Sequence, residues 1–266
     1  IFVDSSANLT EKMIEECVIK GISYVCTCNG KEVICYKDGA TFAQSAKQFY
    51  SEMSRGADVS TSLISQERFE AEWESSLKAG RDVLMFTISS QVSGTNHQAN
   101  LAAEAMMKRY PGRSIYVADS VNSSLGEGLL AVKAANLRDM GETLDTCVKW
   151  IESNKWKMNS YFTVSDLKYL RKGGRISGVT ALAGTLLNIK PILKADGNGR
   201  IVMCGRVKGR RKSVAELAEY YKNYAVFPEG ATAAICHCDC EDEANNLAEL
   251  IRELVRATSP LNITTL

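Results

Sequence analysis

The hydrophobic pattern of the chain is clearest between residues 83 and 106. Four consecutive apolar residues, Val83 to Phe86, precede a polar turn, Ser89–Thr95, that carries four hydroxyl groups. A continuous apolar run of this length is typical of a strand buried on both faces of a parallel sheet. Apolar residues at helical spacing follow the turn, namely Ala99, Ala102, Ala103 and Met106. This stretch therefore predicts a strand, a turn of small residues and a helix in succession.

The rest of the first 160 residues repeats this alternation of short apolar runs and amphipathic segments. Further strands are expected at Ile1–Val3 and Ser114–Ala118, and the Asn29-Gly30 pair predicts a hairpin between Ile22–Cys28 and Glu32–Tyr36. Helices are expected after the cap residue Thr10, over Thr41–Ser54, over Gln66–Lys78 with Ser65 as its cap, from the opening segment Ser123–Gly128 onward, and over Leu144–Asn154.

Beyond residue 160 the pattern changes to strands that follow one another directly. Tyr161–Val164 is a predicted strand, and Ile189–Lys194 and Arg200–Val207 form a predicted hairpin around a turn at residues 196–199. The other expected elements are a short helical turn at Asp166–Leu170, the apolar segment Val179–Leu187, a helix led by Arg210-Arg211-Lys212, a strand Thr232–Cys238, a helix Glu241–Ala257 and a terminal strand Ile263–Leu266.

These patterns predict an α/β protein of two domains. Residues 1–160 are expected to form an α/β domain with a largely parallel sheet, and residues 161–266 an α+β domain with a mixed or antiparallel sheet. The first residue enters a strand directly and the last strand stops without a turn. We therefore expect the chain to be trimmed at both ends, the C-terminus included.

Composition excludes several classes of function. The chain has 266 residues, 45% of them hydrophobic and 24% charged, with a formal net charge of +1. A charge so near zero gives no general attraction to nucleic acid or anionic membranes. No apolar run approaches the roughly 20 residues of a membrane span. We expect a cytoplasmic monomer with no nucleic-acid partner, no stable membrane insertion and no bound cofactor.

Nine cysteines, several of them inside apolar runs, fit buried thiols in a reducing compartment. Three of them alternate in Cys236-His237-Cys238-Asp239-Cys240, which raises the alternative of a metal site. In a strand the three sulfurs would share one face while His237 points to the other. Because the usual paired C-x-x-C spacing is also absent, we expect no metal here.

Hydroxyl-bearing residues follow three of the predicted strands. They are Asp4-Ser5-Ser6, Ser89–Thr95 and Asp119-Ser120. Ligands of open parallel sheets bind beyond the carboxyl ends of the strands, and a helix start offers free N–H groups to an anion. The alternative is that Ser93 and Thr95 only cap the following helix. Three such strand ends together favour an anion-binding site at this edge of the sheet.

Several motifs in series resemble the DegV family of bacterial fatty-acid-binding proteins. They are Asp4-Ser5-Ser6, Thr61-Ser62, Ser90-Gln91-Val92-Ser93-Gly94-Thr95, Asp119-Ser120, the segment LKYLRKGGRI at Leu167–Ile176, and Ile189-Lys190-Pro191-Ile192-Leu193. They occur in order from residue 1 to about residue 212, so the resemblance covers most of the chain. The serine-glycine-threonine turn and the glycine loop are specific in combination, whereas either alone would be weak.

The resemblance implies two α/β domains with one long-chain fatty acid held between them. It implies that Thr61 and Ser93 meet the carboxylate. With the strand-end pattern, the expected ligand-binding residues are Thr61, Ser62, Ser93, Gly94, Thr95, Asp119 and Ser120. It also implies a non-catalytic carrier that presents the acid to a separate fatty acid kinase, which forms an acyl-phosphate for phospholipid synthesis.

Two features depart from the family pattern. Thr61-Ser62 is usually continued by glutamine and proline, but here Leu63 and Ile64 follow. The family also ends in a glycine-rich segment with a histidine near the acid headgroup, and this chain stops at Leu266 before such a segment. Neither His97 nor His237 replaces that histidine by position.

Basic residues cluster in two segments of the second half. Arg171, Lys172 and Arg175 lie in the glycine loop, and Arg206, Lys208, Arg210 and Arg211 follow the hairpin. The glycines allow a partner to approach the backbone closely. With the family resemblance, we expect Arg171, Lys172, Arg175, Arg206 and Lys208 to contact an acidic surface of the kinase.

Three other functions are alternatives to this one. Ser93 as the nucleophile of an acyl hydrolase or transferase needs a base, and the candidates are His97 and His237. A nucleotide site at Lys172–Arg175 lacks the G-x-x-x-x-G-K-[ST] pattern. DNA binding through Arg206–Lys212 is disfavoured by the net charge. The hydrolase remains the alternative function.

Overall fold

The computed structural model describes residues 1–34, 39–176, 188–226, 233–255 and 262–265, with side chains described outside residues 34, 39–45 and 262–265. The chain divides into two compact units, Ile1–Met158 and Asn159–Leu266. The domains expected from the sequence were 1–160 and 161–266. The apolar segment expected at Val179–Leu187 lies outside the described residues.

The first unit combines a parallel sheet with a small antiparallel one. Its strands are β1 (Phe2–Asp4), β2 (Lys20–Ile22), β3 (Val25–Cys28), β4 (Lys31–Ile34), β5 (Val59–Ser62), β6 (Val83–Thr87) and β7 (Ile115–Asp119). Its α-helices are α1 (Glu11–Glu16), α2 (Gly39–Ser54), α3 (Gln66–Lys78), α4 (Thr95–Arg109), α5 (Leu125–Asp139) and α6 (Leu144–Asn154). The parallel sheet has the order β2-β1-β6-β7, and the antiparallel sheet the order β4-β3-β5.

Strand β6 lies inside the parallel sheet and all five of its residues are buried. Val83 and Met85 join the apolar cluster of α3 and α4, which contains Phe69, Trp73 and Met106. Side chains alternate along a strand, so Leu84 and Phe86 point to the opposite face. The strand predicted from the continuous apolar run is therefore confirmed, as are the caps at Thr10 and Ser65, whose side chains accept N–H groups of α1 and α3.

The second unit contains a three-stranded antiparallel sheet and a parallel pair of strands. Its strands are β8 (Tyr161–Thr163), β9 (Ile189–Ala195), β10 (Ile201–Lys208), β11 (Ala234–His237) and β12 (Asn262–Thr265). Its α-helices are α7 (Lys168–Lys172), α8 (Arg210–Tyr224) and α9 (Glu241–Val255). The antiparallel sheet has the order β10-β9-β8, and β11 pairs with β12 in parallel. The predicted fold class is confirmed.

The strand expected at Thr232–Cys238 ends earlier, at His237. Asp239 has a positive φ of 53°, and the Cys240 N–H donates to Nδ1 of buried His237 at 3.2 Å. The prediction that three sulfurs share a strand face is wrong, because Cys238 and Cys240 lie beyond the strand. Over the parts of the chain that the structure describes, no group of three or more His, Cys, Asp or Glu side chains is arranged to hold a metal ion.

Gly128, in the first turn of α5, lies directly against the segment that follows β1. A Cβ atom at position 128 would stand 2.5 Å from the carbonyl oxygen of Ala7 and 2.8 Å from Cδ2 of Leu9. Only glycine allows this approach. Because Ser6 precedes Ala7 and Glu127 precedes Gly128, the same contact keeps Ser6 Oγ beside Glu127 Oε2, 2.7 Å away.

Gly128→Ala is expected to lower the free energy of unfolding by about 1–3 kcal/mol, because an added methyl group forces the packed backbone apart. Urea denaturation followed by circular dichroism measures this change. Gly21→Ala is the matched control, since a Cβ there would lie 4.0 Å from its nearest neighbour, Ile14 Cδ1. The control should change stability by about 0.5 kcal/mol or less. Equal stability of Gly128→Ala and wild type would contradict the close contact.

Candidate functional site

The turn between β6 and α4 brings two hydroxyl groups together at a helix start. Ser93 Oγ lies 3.0 Å from Thr95 Oγ1 and accepts the Thr95 N–H at 3.2 Å. Thr95 is fully buried, whereas Ser93 is partly exposed. The cap position itself is Gly94, which makes no side-chain hydrogen bond to the helix. Ser93 thus supports the helix start and also keeps its hydroxyl at the surface of the turn.

Thr61 and Ser62 lie in β5, an edge strand of the antiparallel sheet, and both are exposed. The next residue, Leu63, reaches the turn after β6, because a Cβ at Gly94 would lie 3.3 Å from its Cδ2 atom. Ile64 is 3% exposed and belongs to the apolar cluster of α3 and α4. The departure from the family pattern at these two positions therefore supplies packing between β5, α3 and the Ser93 turn.

Asp119 and Ser120 shape the neighbouring turn. Asp119 Oδ1 accepts the N–H groups of Ser90, at 3.2 Å, and of Val121, at 3.0 Å, so it ties the end of β7 to the turn after β6. The Ser120 hydroxyl is buried and donates to the carbonyl oxygen of Asn122 at 3.0 Å. Asp119 is thus brought to the turn of Ser93, and direct ligand contacts by Asp119 and Ser120 stay predictions.

Asp4, at the end of β1, is a fully buried carboxyl group with four hydrogen-bond donors. Its Oδ1 atom accepts the N–H and the hydroxyl of Ser6 at 2.8 and 2.5 Å. Its Oδ2 atom accepts the N–H of Ile88 at 2.8 Å and the hydroxyl of Tyr24 at 3.2 Å. Burial raises the pKa of Asp4, and these hydrogen bonds act against the rise.

Glu127, in the first turn of α5, is a second fully buried carboxyl group. Its Oε2 atom lies 2.7 Å from Ser6 Oγ, while its buried Oε1 atom has no hydrogen-bond partner among the described residues. Burial raises the pKa of Glu127 well above its ordinary value, and the negative charges of Asp4 and Asp119 raise it further. Ser6 therefore lies between two carboxyl groups: Asp4, which accepts four hydrogen bonds, and Glu127, one of whose oxygens accepts none among the described residues.

Tyr24 connects this buried pair to the serine-glycine-threonine turn. It precedes β3, its N–H donates to Ser5 Oγ at 3.0 Å, and its phenol donates to Asp4. The hydroxyls of Thr95 and Ser93 also hydrogen-bond to the phenol. Burial, reinforced by the charge of Asp4, raises the pKa of Tyr24 far above its usual range, so the phenol stays protonated.

Tyr24 and Glu127 were missed by sequence analysis. A tyrosine in the segment Ser23-Tyr24-Val25 and an acid in the first turn of a helix both have ordinary exposed roles. The available signals were the polar strand end at Asp4-Ser5-Ser6 and Gly128 next to Glu127, which permits close packing. They predicted the location of polar groups but not their mutual contacts.

The hydrolase alternative gains no support from the contacts of Ser93. Within the described residues its hydroxyl contacts those of Thr95 and Tyr24, and no imidazole is bonded to it. His97 is exposed on α4, and Nδ1 of His237 already accepts the Cys240 N–H. The nucleophile–base pair that acyl transfer needs is therefore not formed by these groups.

The basic side chains of the second unit differ in their exposure to solvent. The exposed set, termed the basic surface below, contains Arg171, Lys172, Arg175, Arg206 and Lys208. Arg210 is instead half-buried and forms an ion pair with Glu243. The hydrogen bonds of this pair raise the pKa of Arg210 and lower that of Glu243. The expectation that Arg210 extends the exposed cluster is therefore wrong.

The antiparallel sheet brings the two segments of the basic surface to one end. Strands β8 and β10 flank β9 and run in the same direction, so their ends, which lead to α7 and to Lys208, lie together. A Cβ at Gly205 would meet the Tyr220 hydroxyl of α8 at 3.0 Å. Because side chains alternate, Arg206 and Lys208 point away from α8.

Solved structures of similar fold include fatty-acid-binding proteins. A fatty-acid-binding DegV family protein from Thermus thermophilus is 25% identical with a TM-score of 0.85, covering 100% of this chain and 91% of that one. One from Streptococcus agalactiae is 26% identical with a TM-score of 0.84, covering 99% and 90%. The Streptococcus pneumoniae fatty acid kinase (Fak) B3 protein, loaded with linoleic acid, has the same fold at 20% identity, with a TM-score of 0.83 and coverage of 99% and 91%.

Among the described residues, no helix has both the length and the apolar character needed to cross a membrane.

Sequence comparison points to the same family. A DegV domain-containing protein of Clostridium perfringens is 36% identical over 253 residues, covering 95% of this chain and 86% of the relative. One of Deinococcus radiodurans is 34% identical, covering 88% and 80%. The family model described as "uncharacterised protein, DegV family" matches residues 1–266, and the chain belongs to the DegV family.

Proposed function

We propose that this DegV protein binds one long-chain fatty acid, with the carboxylate at the turn between β6 and α4. The observation that carries the proposal is the pair of hydroxyls of Ser93 and Thr95, 3.0 Å apart at the start of α4. Support comes from the DegV proteins of Thermus thermophilus and Streptococcus agalactiae, which are described as fatty-acid-binding. Thr61 of β5 is proposed as a further donor to the carboxylate.

The chemistry of this turn suits a carboxylate that carries a long apolar tail. Each buried methylene contributes roughly 0.8 kcal/mol, which drives the tail into an apolar environment. An ionised carboxylate drawn in with it would cost several kcal/mol unless donors meet it. Hydroxyl groups and the N–H groups of a helix start supply such donors, and the positive end of the helix dipole adds to them. The expectation that the tail lies between the two domains stays a prediction.

We further propose that the protein is a non-catalytic carrier that presents its fatty acid to a kinase for acyl-phosphate formation and phospholipid synthesis. The basic surface of Arg171, Lys172, Arg175, Arg206 and Lys208 is the proposed docking site for an acidic face of that kinase. The fold shared with the Streptococcus pneumoniae fatty acid kinase B3 protein supports this role. A cytoplasmic location accords with the free thiols of the described cysteines, and a monomeric state stays a prediction.

Purified protein is expected to carry one fatty acid per chain, or to take up one equivalent of palmitate or oleate when delipidated. Native mass spectrometry measures the stoichiometry, and gas chromatography of a solvent extract identifies the acid. A short-chain acid such as butyrate serves as the control and should bind far more weakly, because it buries few methylenes. Absence of both a co-purified acid and uptake of palmitate or oleate would disprove fatty-acid binding.

A further inference from the structure

The buried side chains beneath the Ser93 turn form one continuous chain of hydrogen bonds. It runs from Glu127 through Ser6 to Asp4, and from Asp4 through Tyr24 to the hydroxyls of Thr95 and Ser93. Asp4 and Glu127 are both fully buried. The fatty-acid site needs only the last two residues of this chain, so the buried carboxyl groups call for a separate explanation.

The two contacts of the Ser6 hydroxyl indicate how many protons the carboxyl groups of Asp4 and Glu127 hold. Ser6 Oγ lies 2.5 Å from Asp4 Oδ1 and 2.7 Å from Glu127 Oε2, yet a serine hydroxyl has one hydrogen to donate. If both carboxyls were ionised, one of these two short contacts would join two lone pairs. The contacts are both satisfied only when one carboxyl is protonated and donates its own hydrogen to Ser6.

Hydrogen bonding indicates which carboxyl group carries that proton. Asp4 accepts four donors, two of them backbone N–H groups, and this stabilises its ionised form. Glu127 has fewer partners, namely the Ser6 hydroxyl and the backbone of Asp4, and its Oε1 atom is unpartnered among the described residues. An unpartnered carbonyl oxygen of a neutral acid costs far less than an unpartnered oxygen of a buried carboxylate. The proton therefore belongs on Glu127.

The charged groups around Glu127 also favour its protonated form. Asp4 at the end of β1 and Asp119 at the end of β7 are the charges that act on it, and both are negative. Tyr24, from the segment before β3, faces Asp4 as a neutral phenol. Ionisation of Glu127 would place a third carboxylate in this region.

The same proton count fixes the direction of the Tyr24 hydroxyl, which lies next to the turn. The single hydrogen of the Tyr24 phenol is donated to Asp4, so its oxygen can only accept from the hydroxyl side chains of the turn. Thr95 and Ser93 both act on the phenol as hydrogen-bond partners. Thr95 is fully buried, whereas Ser93 is partly exposed, so Ser93 is the hydroxyl that a bound carboxylate can reach.

We propose that Asp4, Tyr24 and protonated Glu127 are positioning residues, which hold the hydroxyl side chains of Thr95 and Ser93 in place so that Ser93 can donate to the carboxylate of the bound acid. This inference rests on the proposed fatty-acid function. A proton on Glu127 limits the buried pair to one negative charge. Loss of that proton at high pH would add a charge of the same sign as the ligand and weaken binding.

Equilibrium dialysis of radiolabelled palmitate with delipidated protein, from neutral to alkaline pH, tests the positioning role. Wild-type affinity should fall as pH rises. Glu127→Gln keeps a donor toward Ser6 and carries no charge, so its affinity for palmitate at neutral pH should be within about twofold of wild type. Its affinity should not decrease as the pH rises. Asp4→Asn and Tyr24→Phe should each weaken binding by about tenfold. The double variant should bind no more weakly than either single variant, because the two residues act through the same hydrogen bond. Tyr116→Phe is the control, because it also removes a tyrosine hydroxyl that donates to a carboxylate, here Glu152 at 2.8 Å, but leaves the Asp4–Tyr24 hydrogen bond intact.

Two ligand-free measurements test the proton itself. Infrared difference spectra of wild type against Glu127→Gln should contain the carbonyl band of a neutral carboxylic acid at neutral pH. A carboxyl group with a raised pKa contributes stability that is present at low pH and is lost as pH rises through its folded-state pKa. Wild-type stability should therefore fall toward alkaline pH more steeply than that of Glu127→Gln.

Each unfavourable outcome has a separate meaning. Absence of the carbonyl band, or an equal loss of affinity in Glu127→Gln and Asp4→Asn, overturns the inference. The proposed function is still upheld in that case if the wild-type protein binds palmitate. A loss in Tyr116→Phe equal to that in Tyr24→Phe also overturns it. If wild type binds no palmitate, the proposed function and the positioning role both fail, and the infrared band still decides where the proton lies.

Discussion

Ser93→Ala should weaken binding of a long-chain fatty acid by roughly tenfold or more. A hydrogen bond to a charged group contributes about 1.5–3 kcal/mol, and the partly exposed Ser93 hydroxyl is the proposed donor to the carboxylate. The structure adds a second effect, because Ser93 Oγ also accepts the Thr95 N–H at 3.2 Å. We therefore expect the ligand-free variant to lose about 0.5–1.5 kcal/mol of stability. Palmitate dialysis and urea denaturation measure the two effects.

Ser90→Ala provides the control for this substitution. Ser90 lies in the same turn and is exposed, and its backbone N–H, which the substitution retains, donates to Asp119. Affinity for palmitate within about twofold of wild type is expected, as for a surface change away from such contacts. Wild-type affinity in Ser93→Ala would mean that the carboxylate binds elsewhere on the protein.

Charge reversal of both Arg171 and Arg206 should abolish acyl-phosphate formation by the partner kinase and leave the bound fatty acid in place. Both side chains are exposed, and the antiparallel sheet brings their segments to the same end of the second unit. Attraction between a basic and an acidic surface mainly sets the rate of association, so repulsion prevents the encounter. A coupled assay with the kinase and ATP measures turnover, and native mass spectrometry measures retained lipid.

The control for this double variant reverses Lys222 and Arg252, which are exposed on α8 and α9 of the same unit. It changes the net charge equally but leaves the basic surface intact, so kinase turnover should persist. Turnover of wild type should also fall with added salt, because exposed charges are screened. Full turnover with Arg171→Glu/Arg206→Glu, or loss of its lipid, would refute the docking role.

Local sequence rules determined the elements that frame the site. The continuous apolar run Val83–Phe86 could be buried only as a strand within the sheet, and Ser65 predicted the start of α3 because its hydroxyl replaces a missing helical acceptor. Both signals act over a few residues. β5 was not predicted as a strand, since its polar sequence Val59-Ser60-Thr61-Ser62 has no apolar face and its pairing with β3 is a long-range contact.

Contacts between distant segments decided the chemistry. Arg210 belonged by sequence to an exposed basic cluster, but α9 places Glu243 beside it and neutralises its charge. Cys238 and Cys240 alternate as in a strand, but the chain turns at Asp239, so their sulfurs do not share a face with Cys236. The partner of Arg210 thus lay elsewhere in the chain, whereas the cysteine pattern was broken by a local turn.

By itself the sequence determined where hydroxyl groups end the strands, because that depends on local hydrophobic periodicity and turn residues. It predicted Ser93 and Thr95 at the start of α4 for this reason. Only the tertiary structure decided that Glu127 is buried against Ser6, 121 residues away in sequence. That contact depends on the close packing allowed by Gly128, and burial then changes which groups carry protons. Proton placement follows from the surroundings of a side chain, and those surroundings form only when the chain has folded.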